Sequence, residues 1–264
     1  MMSRVHARYA PAHLVAKLEA LGQLGGSSDL EQDIALCAVQ TIEPAFRKYL
    51  PAGERILEAG SGRGRWVFHL RRLGYDVIGI DLAEGDISYA LQHDPTIPIT
   101  KADVLETGFP DASFGAVISL GVVEHFIDGP GPAFDEVRRI LRPGGLFLVT
   151  VPTQNPGRIL LFNRLNDLKR MIGRLRGHEF VFEEYRYSRR RFRSLLQSAG
   201  FEVLEEIPDD FRHPRNMGLY TDSRFLQHPS VRWQLNSAGN LIAKVLGAIS
   251  PWLACSGTLW VCRR

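Results

Sequence analysis

The chain has 264 residues, 45% apolar and 23% charged, which excludes a disordered or fibrous protein and leaves enough length for a full core without staples. Its three cysteines, Cys37, Cys255 and Cys262, show no metal spacing, which argues against a disulfide scaffold and for a reducing, cytoplasmic setting. The net charge of +3 is unevenly spread: residues 1–157 carry 14 basic and 19 acidic residues, whereas 158–193 carry 11 and 4, so the basic character belongs to one segment.

Met1 to Ala20 contains Arg4, His6, Arg8, His13 and Lys17 and no apolar run, so no secretory signal is read there. Residues 1–50 are expected to supply covering helices, one near Ala12 to Leu21 and one from Asp29 to Tyr49, separated by Gly25-Gly26-Ser27-Ser28. From Arg55 to Val151 short apolar runs alternate with amphipathic stretches. Strands are predicted at Ile56-Leu57, Val77 to Ile80, Ile97 to Ala102, Ala116 to Leu120 and Leu146 to Val151, and helices at Trp66 to Leu73 and Gly131 to Leu141. Pro143-Gly144-Gly145 supplies a tight turn before the last of these strands. Such alternation implies a parallel sheet with helices on both faces. Further on, Ser188 is a candidate N-cap for a helix through Ala199, Gly200 ends it, and Phe201 to Ile207 and Thr258 to Cys262 read as strands. Val245 to Cys262 is uncharged and 18 residues long, but Pro251 and Gly257 divide it into helix, loop and strand rather than a membrane span.

Chemistry concentrates where strands end. Glu58-Ala59-Gly60-Ser61-Gly62-Arg63-Gly64 follows a strand and opens a helix, and its spacing departs from the dinucleotide fingerprint because Arg65 stands where that fingerprint needs glycine or alanine. Asp81 ends the second strand, where a carboxylate can accept from two adjacent ribose hydroxyls, and Asp103-Val104 at the third strand end suits an adenine. The competing reading is that these acids only cap strand ends. Glu124-His125 follows the fourth strand, where His125 could take a proton from a hydroxyl or amine, or the pair could simply hold its loop by hydrogen bonds. Arg63 and Arg65 either attract an anion or solvate the loop.

Glu58 to Gly64, Asp81, Ala102-Asp103-Val104, Phe109-Pro110-Asp111, Ser119 to Phe126 and Leu141-Arg142-Pro143-Gly144-Gly145 together resemble the class I S-adenosylmethionine-dependent methyltransferases, in the branch of small-molecule enzymes. The resemblance covers about residues 29–155, and Ser198-Ala199-Gly200-Phe201 is similar to a later helix–strand junction of that family. It implies a Rossmann-like, doubly wound, mostly parallel seven-stranded α/β sheet over residues 51–264, with S-adenosylmethionine as cofactor. The cofactor-binding set it implies is Glu58, Gly60, Ser61, Gly62, Gly64, Asp81, Leu82, Asp103, Val104 and Leu120, with Glu124 and His125 on the catalytic side. Related quinone-pathway enzymes place a further metal-binding acid where this chain has Gly121, so no metal is inferred. The expected reaction is methyl transfer to a small-molecule or lipid-like acceptor, preferably at oxygen; the rival reading is a non-catalytic S-adenosylmethionine-binding regulatory module.

Residues 155–187 read as a basic amphipathic lid. Leu161, Leu165, Leu168, Ile172 and Leu175 fall on one helical stripe, surrounded by Arg158, Arg164, Lys169, Arg170, Arg174 and Arg176. The preferred reading packs the stripe on the sheet domain; the alternative makes 158–176 a peripheral membrane contact. Nucleic acid is not expected as a partner, because the main domain is acidic and no RNA-reading motif is present.

Overall fold

The computed structural model describes residues 5–12, 29–210, 219–220, 223–231 and 234–264. Its centre is a seven-stranded sheet built from β2 (Arg55–Ala59), β3 (Asp76–Asp81), β4 (Ile99–Lys101), β5 (Phe114–Leu120), β6 (Leu141–Pro152), β8 (Glu202–Asp209) and β9 (Gly257–Arg263), in the order β4-β3-β2-β5-β6-β9-β8. The first five run parallel, and β9 and β8 pair antiparallel. This is the expected doubly wound architecture. Central strands such as Phe114–Leu120 are apolar but for Ser119, because both faces are covered.

Crossovers are α3 (Arg65–Arg72), α4 (Glu84–His93) and α5 (Gly131–Ile140), and α7 (Arg189–Ser198) leads into β8. Ser188 is the N-cap of α7, its hydroxyl accepting from Arg191 N–H. Pro143-Gly144-Gly145 lies within a register shift of β6 against β5.

The N-terminal region departs from expectation. Instead of one helix over Asp29 to Tyr49 there are two, α1 (Leu30–Cys37) and α2 (Glu43–Tyr49). Pro44 sits in the first turn of α2 and has no N–H for the carbonyl four residues back, so a continuous helix cannot pass through it. The helix expected near Ala12 to Leu21 falls almost wholly on residues outside those described. Before it lies an unanticipated strand, β1 (Val5–Pro11), which pairs antiparallel with β7 (Phe180–Tyr187) from Val5↔Tyr187 to Pro11↔Phe180.

The insertion is therefore part helix and part strand: a π-turn (Arg158–Phe162), α6 (Asn163–Leu175) and β7. The packed-lid expectation for its leucine stripe is overturned. Leu168 is 47% exposed, Leu175 is 82% exposed, and Leu165 and Ile172 are also exposed; the side chain of Leu161 lies outside what is described. The reason is what β1 offers: Asp167 approaches His6 at 4.0 Å and the Arg170 guanidinium lies over the Tyr9 ring at 4.5 Å, so α6 docks through polar groups. Arg158, expected among the surface cations, is buried and donates to the carbonyls of Thr153 and Ser256, both at 2.7 Å. Cys37, Cys255 and Cys262 are free and buried. No helix among the described residues is long and apolar enough to cross a membrane.

Candidate cofactor and acceptor site

At the carboxyl edge of the sheet the chain turns from β2 into α3 through three glycines with positive φ, Gly60 (82°), Gly62 (53°) and Gly64 (75°). A Cβ on Gly60 would overlap Val122 Cγ2, whereas one on Gly62 would meet nothing nearer than Asp86 Oδ2 at 4.0 Å. The loop thus packs against the segment after β5 on one side and is open on the other. The N–H groups of Gly60 and Ser61 both donate to the Ile80 carbonyl at 2.9 Å, tying the loop to β3.

Asp81 has a second duty that its position alone did not reveal. Its Oδ2 accepts from Gly62 N–H at 2.7 Å and its Oδ1 from Ala83 N–H at 2.8 Å. Each carboxylate oxygen keeps a further lone pair. Asp103 Oδ1 accepts from Leu105 N–H at 2.9 Å, Val104 beside it is buried, and Leu82 is an exposed apolar side chain at the same edge. Leu120 is half-buried at the end of β5. Arg63 is committed elsewhere, paired with Asp86 at 3.0 Å and stacked over Tyr89, which favours its reading as a loop residue.

Glu58 lies fully buried at the end of β2 with Oε2 unpartnered, and burial pushes its carboxyl up to about 8 against the opposing influence of Arg65 and of the Val67 backbone. Ser61 Oγ is also buried and unpartnered.

The segment after β5 brings the other half of the site. Glu124 is buried with Oε2 unpartnered, and desolvation holds its carboxyl well above the usual range. It lines a cavity of about 560 Å³ with Gly121, Thr150 and Pro152 of the sheet edge and with Arg8, Glu184 and Arg186 of the β1–β7 pair. Arg158, Asp209 and Tyr220 close other parts of the wall. The walls carry both signs: Arg8 pairs with Glu183 at 3.0 Å and Glu184 at 3.3 Å, and Arg186 with Glu184 at 3.0 Å. Of these residues, only Glu124 was a candidate site residue in the sequence; Arg8, Gly121 and Arg158 were noted there for other reasons. The others are joined by chain folding over more than a hundred positions.

His125 stands outside the lining of this cavity. Its ring is exposed and Nδ1 lies 2.6 Å from the Glu183 carbonyl. A carbonyl only accepts, so Nδ1 is the donor in this contact. With Tyr185 Oη donating to the Ile127 carbonyl at 2.9 Å, this contact fastens the post-β5 segment to β7. Among the described residues no group of three or more His, Cys, Asp or Glu is placed to hold a metal ion.

Residues 57–149 match a family model described as a methyltransferase domain. Over those residues the chain is similar to methyltransferase domains. It is 32% identical over 159 residues to a probable S-adenosylmethionine-dependent methyltransferase of Mycolicibacterium smegmatis, covering 59% of this chain and 55% of that one. It is 31% identical over 112 residues to phosphoethanolamine N-methyltransferase 3 of Arabidopsis thaliana, covering 40% of this chain and 23% of that one. The aligned part thus spans about half or less of these relatives' own length. The fold is shared with a methyltransferase structure from Methanosarcina mazei at a TM-score of 0.58 and 15% identity, covering 84% of this chain and 97% of that one.

The Mycolicibacterium relative is S-adenosylmethionine-dependent by name, and residues of this chain between 57 and 149 fit that cofactor. Gly62 leaves an open side, Asp81 and Asp103 retain acceptor capacity at neighbouring strand ends, and Ser61 Oγ and Glu58 Oε2 are buried without partners next to the loop. Gly60 and Gly62 would admit the methionine part, Asp81 the ribose, and Leu82, Asp103 and Val104 the adenine.

Asp81→Ala removes two backbone latches as well as ribose acceptors, so cofactor affinity should fall by about tenfold or more, from a loss of about 1.5–3 kcal/mol. Asp81→Asn, which keeps one acceptor oxygen, should lose less. Titration calorimetry on the folded variants checks this, and unchanged affinity in Asp81→Ala would remove Asp81 from the cofactor set.

Proposed function

We propose that the chain transfers a methyl group from S-adenosylmethionine to a small polar acceptor, at oxygen, inside the cavity beneath the β1–β7 pair. The observation that carries this reading is Glu124, a buried, unpartnered carboxyl lining a cavity at the sheet edge, next to the segment whose Val122 packs on Gly60. The cofactor supplies an already activated methyl group, so the protein's tasks are placement and handling of one proton. In its ionised form Glu124 would accept the hydroxyl proton of the acceptor as the oxygen–methyl bond forms and the sulfur–methyl bond breaks, the sulfonium leaving as a neutral thioether. Its raised pKa makes that form a stronger base than an ordinary carboxylate. The charged walls favour a polar acceptor, or a polar headgroup, over an acyl chain.

The rival, a cofactor-binding module without turnover, is disfavoured by the open cavity. Incubation with methyl-labelled cofactor and fractionated cell extract tests the two. Label in a polar, low-molecular-weight fraction is the expected result; cofactor binding with no labelled fraction would make the module reading correct, and label on an amine would overturn the oxygen assignment.

A further inference from the structure

An amphipathic helix on a water-soluble domain ordinarily turns its apolar stripe toward the core. Helix α6 does the reverse. Asn163, Asp167 and Arg170, spaced four and three apart, face inward, with Asn163 buried and Arg170 against Tyr9. Leu165, Leu168, Met171, Ile172 and Leu175 face outward and are all exposed. Leu160, on the preceding turn, extends the same apolar surface.

Arg164, Lys169 and Arg176 share or flank this surface, all exposed and without an ion pair among the described residues. The one acid on the helix, Asp167, is half-buried and already shared between Arg170 and His6. Six apolar side chains with a collar of three uncompensated cations are complementary to an interface that is apolar in depth and anionic at its surface. Helix α8 (Ser237–Ile249) also exposes an apolar stripe, through Leu241, Val245 and Ile249, but Lys244 is its only charge and no comparable collar surrounds it.

We propose that α6 docks the protein on an anionic phospholipid surface, its leucine face entering the headgroup boundary and its basic collar contacting the lipid charges. The inference stands apart from the methyl-transfer reading, since docking is measured without turnover. It also gives the insertion a purpose that the cavity does not, because the exposed residues of α6 are absent from the cavity wall.

The test is sedimentation of the full chain with vesicles of phosphatidylcholine alone and of phosphatidylcholine mixed with phosphatidylglycerol. The expected result is binding to the mixed vesicles only, weakening as salt is raised. Lys169→Glu with Arg176→Glu should weaken binding by about tenfold or more. Leu168→Asn with Leu175→Asn should weaken it while keeping the charge. Both pairs are exposed, so melting temperature and cofactor affinity should stay at the level of the unaltered chain. Absence of binding to mixed vesicles, equal binding to both kinds, or unchanged binding in both double variants would overturn the proposal. So would a dimer in light scattering that the leucine variant converts to monomer while vesicles are ignored.

Discussion

Replacing Glu124 by Gln should lower turnover by about 100-fold or more while leaving cofactor affinity nearly unchanged. Gln preserves shape and hydrogen-bonding capacity but cannot take a proton, so the variant isolates the proposed base function from packing. In the unaltered protein the carboxyl is held well above its usual range by burial, so its ionised form is reached at higher pH than for an ordinary carboxylate. Turnover should therefore rise with pH on the acid side, because only the ionised form accepts the hydroxyl proton, and Glu124→Gln should lack that limb. His125→Ala is the matched control: its ring lies outside the cavity lining and bonds the Glu183 carbonyl. Initial rates across pH for both variants decide the matter. Full activity in Glu124→Gln, or the lost pH limb appearing in His125→Ala instead, would move the proton acceptor away from Glu124.

The parts of this molecule legible in sequence are those set by short-range physics. Apolar runs such as Val117–Ile118 and Val77–Ile78 mark strands buried on both faces, the glycines at 60, 62 and 64 mark a turn needing positive φ, and Ser188 marks a cap; all appear where expected. Helix α4 was missed because only Ile87 and Ala90 are buried in its ten residues, too few to set a periodic signal. The β1–β7 pair joins residues 182 positions apart at Val5↔Tyr187, and no local pattern in either segment names the other.

The same distinction separates the two halves of the site. Asp81, Asp103 and the glycine loop occupy fixed offsets from strands, so their candidacy followed from chain order. The cavity lined by Glu124 is assembled from β1, β6, β7 and the region around Asp209, and its arginines acquire meaning only when those segments meet. Helix α6 misled for a further reason. Periodicity reports that a helix has an apolar face, but which face turns inward depends on the neighbour it meets, and here His6 and Tyr9 receive the polar one.

Glu58→Gln should flatten a pH dependence of stability built into the buried carboxyl at the end of β2. Burial raises the folded-state pKa of Glu58 from 4.5 to about 8, so across that interval the folded chain holds a proton that the unfolded chain has released. Stability therefore falls as pH rises from about 4.5 toward 8, the opposite of the usual salt-bridged carboxylate. At 1.36 kcal/mol per pH unit, the loss between about pH 5 and pH 7.5 is on the order of 3 kcal/mol from this one group. Glutamine cannot ionise, so the variant should gain about that much relative to the unaltered chain over the same interval. Glu124 titrates in both proteins and cancels from the difference. Urea unfolding of the two proteins at both pH values measures the effect, and parallel pH profiles would show that Glu58 is ionised in the folded chain. A cation brought near the glycine loop lowers the pKa of a carboxyl beside it, so cofactor binding near neutral pH should release a proton from Glu58. Calorimetry in buffers of different ionisation enthalpy reads that proton directly, and its disappearance in Glu58→Gln would tie the buried charge to the ligand site rather than to folding alone.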